Sequence, residues 1–181
     1  MIPDKILKEQ LKHTLEKTNF NLGKKYEGKV RDNYLLGDKR IIITTDRISA
    51  FDRVLCSLPF KGQVLNQTAA FWFERTKSIV ANHVIDVPDP NVLLAKECKP
   101  YPIEMVVRGY LTGVTTTSAW YNYEKGVRNF CGNVLAEGMK KNQKFDRPII
   151  TPSTKAEKGA HDISAGKEYF IENNLIDGKT Y

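Results

Sequence analysis

A series of short strand-like runs between residues 24 and 57 limits the fold more than any other stretch of the chain. The runs at residues 34–36 and 41–43 are rich in β-branched and aromatic residues, with Gly37 and Asp38 between them. Glycine and aspartate between two such runs are typical of a hairpin turn. A further β-rich run at residues 54–55 follows the polar corner at 45–47. The stretch therefore predicts a small antiparallel meander.

Helices are predicted on both sides of this meander. Residues 5–18 and 64–80 repeat their apolar side chains at helical spacing, and the second segment is the longest candidate. Its broad apolar face, which includes Trp72, is expected to pack on the sheet. Shorter helices are predicted at residues 118–125 and 164–174, and strands at 91–98 and 103–108. Together these elements predict an α+β fold.

The second half of the chain differs in kind from the first. Residues 109–181 are rich in Thr, Ser and Gly and hold fewer apolar strands than the first half. By themselves they are short of the apolar residues that an independent core needs. This favours the interpretation that the chain is the front part of a longer protein. A small one-domain protein with an irregular tail is the alternative.

Composition excludes several classes of protein. No apolar run approaches the roughly 20 residues of a membrane-spanning helix. Residues 1–5 are followed by a charged helical pattern and not by an apolar segment, so a secretory signal is not expected here. Three widely spaced cysteines make neither a disulfide scaffold nor a CxxC metal site. A reduced, cytoplasmic protein is expected. The 28 basic and 21 acidic residues give a net charge of +7, spread along the chain. Such a charge suits small polyanions, nucleic acid or an acidic membrane surface, and an ordinary solvated cationic surface is the alternative.

The stretch Gly28-Lys29-Val30-Arg31 is the first candidate phosphate site. Neither GxxxxGK[ST] nor GxGxxG occurs in the chain, so neither standard phosphate-binding loop is present. A glycine within a strand pattern allows a ligand to approach the backbone. Lys29 and Arg31 alternate with Val30 in this strand pattern, so they are expected to share one face while Val30 faces the other way. The alternative is an ordinary solvated strand edge.

A second polar cluster follows the most apolar strand. Residues 44–52 hold two carboxylates (Asp46 and Asp52), Arg47 and three hydroxyls. Polar groups at the end of a buried strand lie where ligands usually meet a sheet. The same groups also suit a corner in which hydroxyls and carboxylates cap the backbone. Both interpretations remain open on sequence alone.

Two further candidates lie in the second half. Arg108 follows an apolar strand, and residues 109–118 add two glycines and five Thr or Ser hydroxyls before a predicted helix at Ser118. Arginine with hydroxyls and free amide groups is typical of an anion site.

Residues 148–155 contain two prolines, so Lys155 is expected in extended chain rather than in a helical row of charges.

Taken together and in this order, the motifs resemble those of the phosphoribosylaminoimidazole-succinocarboxamide synthase (SAICAR synthetase) family, in its longer form. They are Gly-Lys-Val-Arg-Asp at 28–32, Thr-Asp-Arg-Ile-Ser-Ala-Phe-Asp at 45–52, Lys-Gly-Gln-Val-Leu at 61–65, Val-Val-Arg-Gly-Tyr-Leu-Thr-Gly at 106–113, Ser-Ala-Trp at 118–120 and Thr-Pro-Ser-Thr-Lys-Ala-Glu at 151–157. The resemblance covers essentially the whole chain.

The resemblance implies a ligase of purine biosynthesis. Such an enzyme joins carboxyaminoimidazole ribonucleotide (CAIR) and L-aspartate, with ATP and Mg²⁺, to give SAICAR, ADP and phosphate. The implied fold has two lobes of kinase-like or ATP-grasp-like architecture, with ATP in the cleft. Here residues 1–102 would form the first lobe, with its antiparallel sheet, and 103–181 the beginning of the second. The family's later acidic metal ligands are not found before Tyr181, so the metal site is unknown.

The resemblance also implies roles for single residues. Gly28, Lys29, Val30 and Arg31 would form the hairpin over the ATP phosphates, and Lys96, Glu97 and Cys98 the segment whose backbone meets adenine. Lys155 would reach the nucleotide phosphates and act in catalysis.

The implied partners are small molecules, with neither membrane nor nucleic acid, and a homo-oligomer is left open. Arg108 and Ser118 would bind the CAIR phosphate. Asp52 would be an acid near the substrate carboxylate or aspartate, with a catalytic role. The rival interpretation is a non-catalytic nucleotide- or nucleic-acid-binding fragment, for which the charge of +7 and the 18 aromatic residues are the support.

Overall fold

The computed structural model describes residues 3–50, 53–155 and 162–181. The chain divides into two compact units, Met1–Lys99 and Pro100–Tyr181, and each is described by itself. The boundary between the units falls after Lys99 in the chain, close to the division after residue 102 that the resemblance implies for the lobes. Both helices and antiparallel strands are present, as the α+β prediction requires.

The first unit contains two helices and seven strands within its described residues. In chain order they are α1 (Asp4–Gln10), β1 (Lys24–Glu27), β2 (Arg31–Leu36), β3 (Lys39–Thr44), β4 (Arg47–Ala50), β5 (Arg53–Ser57), α2 (Lys61–Thr76), β6 (Val84–Asp89) and β7 (Val92–Lys96). Five strands form an antiparallel sheet in the order β1-β2-β3-β7-β6, and β4 pairs with β5.

The predicted meander is confirmed at its central hairpin. Strands β2 and β3 pair antiparallel, and Leu36 lies opposite Lys39 across a two-residue turn. Gly37 in this turn has φ of 61°, a left-handed conformation that glycine adopts without a steric cost. The sheet buries Tyr34 and Ile43 on one face and Leu93 on the other, because Tyr34 lies opposite Ile41 whereas Leu93 lies opposite Ile42.

Helix α2 overlaps the helix predicted at residues 64–80, but it begins and ends earlier in the chain, and the predicted packing face is wrong at Trp72. Its buried residues are Gly62 and Asn66, whereas Trp72 is 59% exposed. The chain brings the start of the helix so close to the sheet that a Cβ at Gly62 would lie 2.3 Å from the Thr44 carbonyl oxygen. Buried residues 62 and 66 and half-buried residues 69, 70 and 73 recur at helical spacing and form the inner face of the helix.

The predicted first helix is too long. Helix α1 covers seven residues and buries none of them. Beyond it the backbone hydrogen-bonds to side chains of the sheet: the Leu15 N–H donates to Asp46 Oδ2 (2.8 Å) and the Thr18 N–H to Asp32 Oδ2 (2.7 Å). These bonds take the amide groups that a continued helix would use, so tertiary contacts override the local helical pattern.

The second unit contains six strands and two helices in its described part. They are β8 (Ile103–Glu104), β9 (Val107–Leu111), α3 (Ala119–Glu124), β10 (Asn129–Phe130), β11 (Asn133–Val134), β12 (Gln143–Ile150), β13 (Ser153–Thr154) and α4 (Lys167–Glu172). The strands pair antiparallel as β9–β12, β8–β13 and β10–β11. A core of Leu111, Ala119, Tyr123, Phe130, Leu135 and Phe145 packs helix α3 against them.

The two helices predicted in this unit are present with shorter bounds. The single strand expected at residues 103–108 is instead the two strands β8 and β9, because β8 pairs with β13 and β9 with β12. In the described part of the chain, no helix has the length and apolar character to cross a membrane.

Candidate functional site

A tight turn at residues 28–30 joins β1 to β2. Glu27 lies opposite Asp32, and the Gly28 N–H donates to the Arg31 carbonyl oxygen at 2.8 Å, which closes the turn. The hairpin implied for residues 28–31 is therefore present. The expected alternation of Lys29, Val30 and Arg31 along one strand is wrong, because Lys29 and Val30 belong to the turn. Lys29 and Arg31 are both exposed at the tip.

Buried polar residues lie behind this tip. Arg47, the first residue of β4, is 7% exposed, and its Nη2 donates to Asp32 Oδ1 at 3.0 Å. Asp46 accepts hydrogen bonds from the N–H groups of Leu15 and Gly62, both at 2.8 Å. Asp46 and Arg47 therefore join the N-terminal segment, the hairpin and helix α2, as in the capped-corner interpretation of residues 44–52. Asp52 lies outside the described residues.

Asp32 is fully buried and remains charged. Burial by itself would raise its pKa, but hydrogen bonds from the Thr18 N–H and hydroxyl, from Arg47 and from Lys25 outweigh that effect and lower it. The Thr18 hydroxyl lies 2.8 Å from Asp32 Oδ2, and Lys25 Nζ lies 3.2 Å from it. A buried carboxylate with this many donors is a fixed anchor for Arg47.

The segment implied to meet adenine lies at the end of β7. The Lys96 N–H donates to the His83 carbonyl oxygen and the Glu97 N–H to that of Asp38, both at 2.8 Å. The Glu97 carboxylate accepts two hydrogen bonds from Arg40, at 2.6 and 2.7 Å, which lower the pKa of Glu97. Glu97 thus has structural partners for both its amide and its side chain.

Cys98 is exposed just beyond this strand. A cavity of about 470 Å³ opens beside Lys96 and Cys98, and the apolar side chains of Phe73 and Val80 form part of its wall. His83, another lining residue, packs edge-on against Phe73 with ring centroids 5.0 Å apart. The end of β7 therefore borders a partly apolar space within the first unit.

The hairpin tip and the end of β7 lie at opposite ends of β3. Arg31 pairs with Thr44 at one end of that strand, and Lys96 pairs with Lys39 at the other. Five residue steps of an antiparallel strand span about 17 Å. The two segments implied to bind ATP are therefore separated by a distance of the order of an extended nucleoside triphosphate.

In the second unit, Arg108 is half-buried on β9. Its Nε donates to Thr151 Oγ1 at 2.8 Å and its Nη2 to the Thr117 carbonyl oxygen at 2.9 Å. The guanidinium therefore bridges the end of β12 and the loop that precedes α3. Burial raises the pKa of the nearby Cys131 thiol to about 11, although the positive charge of Arg108 acts in the opposite direction.

Ser118 is buried and orders that same loop. Its Oγ accepts a hydrogen bond from the Thr115 N–H at 3.0 Å and lies 2.7 Å from the Thr115 hydroxyl. A Cβ at Gly113, where φ is 100°, would lie 2.4 Å from Ser118 Oγ, so this glycine lets the loop close over the serine. Ser118 therefore orders the loop that contains Thr117, whose carbonyl oxygen accepts a hydrogen bond from Arg108.

Lys155 follows β13 and is exposed. Its N–H donates to the Pro102 carbonyl oxygen at 3.1 Å, which continues the pairing of β13 with β8. The extended conformation predicted for this stretch is therefore observed. Arg108 and Ser118 come together around Thr117, and the structure places Lys155 at the end of a separate strand pair.

Arg47 is a candidate from the sequence, in the polar cluster at residues 44–52, but the sequence does not place this cluster behind the hairpin and does not identify Thr151 as a partner of Arg108. Thr45, Asp32 and Arg47 lie directly behind the hairpin tip, and Thr151 holds Arg108. The signal for the first group was limited to charged residues in strand-like runs, where burial requires a partner but does not specify which one. Among residues 3–50, 53–155 and 162–181, no cluster of three His, Cys, Asp or Glu side chains could hold a metal ion.

Comparison with known proteins identifies the family. The family model described as SAICAR synthetase matches residues 24–181. The phosphoribosylaminoimidazole-succinocarboxamide synthase of Legionella pneumophila (strain Paris) is 60% identical over 141 residues, which cover 78% of this chain and 45% of that protein. The chloroplastic enzyme of that name from Vigna aconitifolia is 50% identical over 185 residues, which cover 99% of this chain and 54% of that protein.

A solved structure shares the fold as well. The SAICAR-synthase from Saccharomyces cerevisiae, described as complexed with SAICAR, matches with a TM-score of 0.75 and 31% identity. The match covers 90% of this chain and 60% of the yeast chain. This chain spans about half the length of the curated relatives it matches. From its motifs, its fold and these matches, the chain belongs to the SAICAR synthetase family.

Proposed function

We propose that this chain carries the nucleotide-covering and substrate-phosphate parts of an ATP-dependent ligase that joins CAIR to L-aspartate. The observation that carries the proposal is the family match over residues 24–181. The yeast relative with 31% identity is described as complexed with SAICAR, the product of that reaction. The products besides SAICAR are ADP and phosphate.

The chemistry explains why cationic groups are needed. A carboxylate is a poor acyl donor because its oxygen is a very poor leaving group. In the proposed course a CAIR carboxylate oxygen attacks the γ-phosphorus of ATP, and ADP leaves. The aspartate amine then attacks the acyl carbon, phosphate leaves with the C–O bond electrons, and the nitrogen loses a proton. Because both reactants are anionic, positive groups placed beforehand must offset their repulsion.

For ATP we assign the hairpin Gly28, Lys29, Val30 and Arg31 to the phosphates and the segment Lys96–Glu97–Cys98 to adenine. The two cationic side chains at the exposed tip and the tight turn support the first assignment. The separation of about 17 Å along β3 supports the second, since it suits a base and a phosphate chain at opposite ends. The N–H groups of Lys96 and Glu97 already donate within the fold. Cys98 is therefore the amide assigned to the base.

For CAIR we assign Arg108 to the phosphate. Its Nε and Nη2 donate to Thr151 and Thr117, which fixes the plane of the guanidinium. An arginine held in this way is suited to a phosphate, because its remaining N–H groups keep a set direction. Ser118 supports the same loop, and Asp52 is proposed as an acid near the substrate carboxylate or the aspartate.

Lys155 is proposed to reach the nucleotide phosphates during transfer. Its extended, exposed position after β13 is compatible with that role. Mg²⁺ is expected for a reaction of this kind, but the described residues form no metal-binding cluster. No step of the proposal therefore depends on a metal held by this chain.

The test is ADP release that requires both CAIR and aspartate. The chain would be assayed with ATP and Mg²⁺, first alone and then mixed with the C-terminal half of the Legionella pneumophila relative. The second arrangement is included because the match to this chain covers only 45% of that relative. We expect ADP release in at least one arrangement, abolished by omission of either substrate and by Lys155→Ala. Lys144→Ala, at an exposed lysine on β12 of the same unit, is the matched control. Release that persists without CAIR, or none in either arrangement, would contradict the proposal.

A further inference from the structure

The carbonyl groups of Gly28, Lys29 and Val30 in the hairpin all point toward one buried corner. The Gly28 carbonyl oxygen accepts a hydrogen bond from Arg47 Nη2 at 2.9 Å, and that of Lys29 accepts one from Arg47 Nε at 3.0 Å. The Val30 carbonyl oxygen accepts two, from the Thr45 hydroxyl at 2.8 Å and the Thr45 N–H at 3.1 Å. Three successive carbonyls are therefore held by two residues.

Arg47 is itself fixed. Its side chain is 9% exposed, and its third nitrogen, Nη1, donates to the Glu16 carbonyl oxygen. Its partner Asp32 is fully buried and accepts further hydrogen bonds from Thr18. A planar guanidinium whose three nitrogens all donate hydrogen bonds is held in a single orientation. The carbonyl groups of Gly28 and Lys29, which accept from it, are therefore held in fixed directions too.

The orientation of the carbonyls determines that of the amides. In a trans peptide the C=O of one residue and the N–H of the next point in opposite directions. The N–H groups of Lys29 and Val30 therefore point away from Arg47. Successive N–H groups directed to one side attract an anion, whereas carbonyl oxygens on that side would repel it.

We infer that Arg47, together with Thr45, is a positioning residue for nucleotide binding. It turns the hairpin carbonyls inward, so that the tip presents N–H groups and cationic side chains to a polyphosphate. This inference rests on the proposed nucleotide role of the hairpin. Arg47 acts through the backbone of residues 28–30 and has no contact with ligand in this scheme.

The positioning role predicts different effects on the two parts of the nucleotide, its phosphates and its base. Loss of the Arg47 fork should weaken binding of the phosphates and leave binding of the base unchanged. Arg47→Lys keeps a positive charge beside Asp32 but cannot hold two carbonyls in a plane. Thr45→Val removes only the hydroxyl bond to Val30, and Thr45→Ser keeps it.

The experiment compares ATP and adenosine on the full 181-residue chain by isothermal titration calorimetry in Mg²⁺. We expect Arg47→Lys to weaken ATP binding about tenfold or more, with adenosine binding unchanged. Thr45→Val should show a smaller effect in the same direction, and Thr45→Ser should restore wild-type binding. Arg75→Lys, on the exposed surface of α2, is the matched control.

The outcomes separate this inference from the proposed function. If Arg47→Lys and Thr45→Val weaken the binding of ATP and of adenosine equally, the positioning role is wrong, but the nucleotide site is still supported. The same holds if these variants weaken the binding of neither compound. If the wild-type chain binds neither compound, the proposed function is itself overturned and the positioning role with it. If Arg47→Lys does not fold, the Thr45→Val and Thr45→Ser pair decides by the same comparison.

Discussion

Arg108 and Arg47 both follow an apolar strand in the sequence, but their surroundings in the fold differ. Arg47 donates from all three guanidinium nitrogens to groups of the first unit. Arg108 donates from Nε and Nη2, and within the described residues its Nη1 makes no hydrogen bond. The first arginine is therefore a structural anchor, and the second keeps donor capacity for a ligand.

At Arg108 we expect a selective loss of substrate binding. Arg108→Ala should weaken CAIR binding about tenfold or more, because a charge-assisted contact to phosphate is removed, and should change ATP binding much less. Calorimetric titration of each ligand measures the two effects. Arg147→Ala, at an exposed arginine of β12, should alter neither. Equal weakening of both ligands by Arg108→Ala would contradict the assigned role.

At Asp32 we expect a pH-dependent contribution to stability. The folded chain lowers the pKa of Asp32 below its ordinary value of about 3.9, so the unfolded chain binds the proton more tightly. The stabilisation is therefore fully present well above pH 4. It is lost as the pH falls below the pKa of the unfolded chain toward the lower pKa of Asp32 in the folded chain. Asp32→Asn should cost about 3 kcal/mol at pH 7, since it leaves buried Arg47 without its partner.

Urea unfolding at pH 7 and at pH 3 measures this prediction. The difference in free energy of unfolding between the wild type and Asp32→Asn should shrink at the lower pH. Asp38→Asn, in the exposed turn between β2 and β3, serves as the control and should show little difference at either pH. A difference that stays constant between the two pH values would show that the charge of Asp32 is not responsible.

At the scale of elements, helix α2 shows what local patterns determine and what they leave open. Its position follows from spacing alone, as predicted for residues 64–80. Its orientation does not, because a glycine and an asparagine form the buried contact. Asn66 Nδ2 donates to the Pro90 carbonyl oxygen at 3.0 Å, so its burial has a polar partner that no pattern of apolar residues could reveal.

The close approach at Gly62 gives a test of that orientation. Gly62→Ala would place a methyl group 2.3 Å from the Thr44 carbonyl oxygen and 2.5 Å from Asn91 Nδ2, where neither can move freely. We expect a loss of about 2 kcal/mol in the free energy of unfolding, measured by urea denaturation. Gly109→Ala is the control, since a Cβ there meets nothing within 4 Å. Equal stability of the two variants would contradict the packing described for α2.

At the scale of the whole molecule, the sequence predicts those parts whose signals are local. The hairpin at Gly37 and the antiparallel character of the first sheet follow from turn chemistry and short β-rich runs. Strands β6 and β12 were missed because each contains a proline and charged residues, which interrupt a β-rich pattern. Strand β6 pairs with the next strand, β7, whereas β12 pairs with the sequence-distant β9. Both are edge strands, where a proline removes no required hydrogen bond.

The residues of the candidate site also fall into those that a local motif predicts and those that depend on contacts between distant segments. Gly28, Lys29, Arg108 and Lys155 are candidates from the sequence because motifs carry them. The residues that hold them in place, Arg47 behind the hairpin and Thr151 beside Arg108, depend on contacts between segments 15 to 43 residues apart. Single-sequence reasoning has no access to such contacts.

The central claim is that two separate stretches hold the phosphates of two different ligands. Amide hydrogen exchange of the 181-residue chain, measured with ATP and Mg²⁺ and then with CAIR, tests it most directly. ATP should slow exchange at residues 28–31 and 96–98, and CAIR should slow exchange at residues 107–118. Protection by ATP that leaves residues 28–31 unchanged, or by CAIR that leaves residues 107–118 unchanged, would contradict the account.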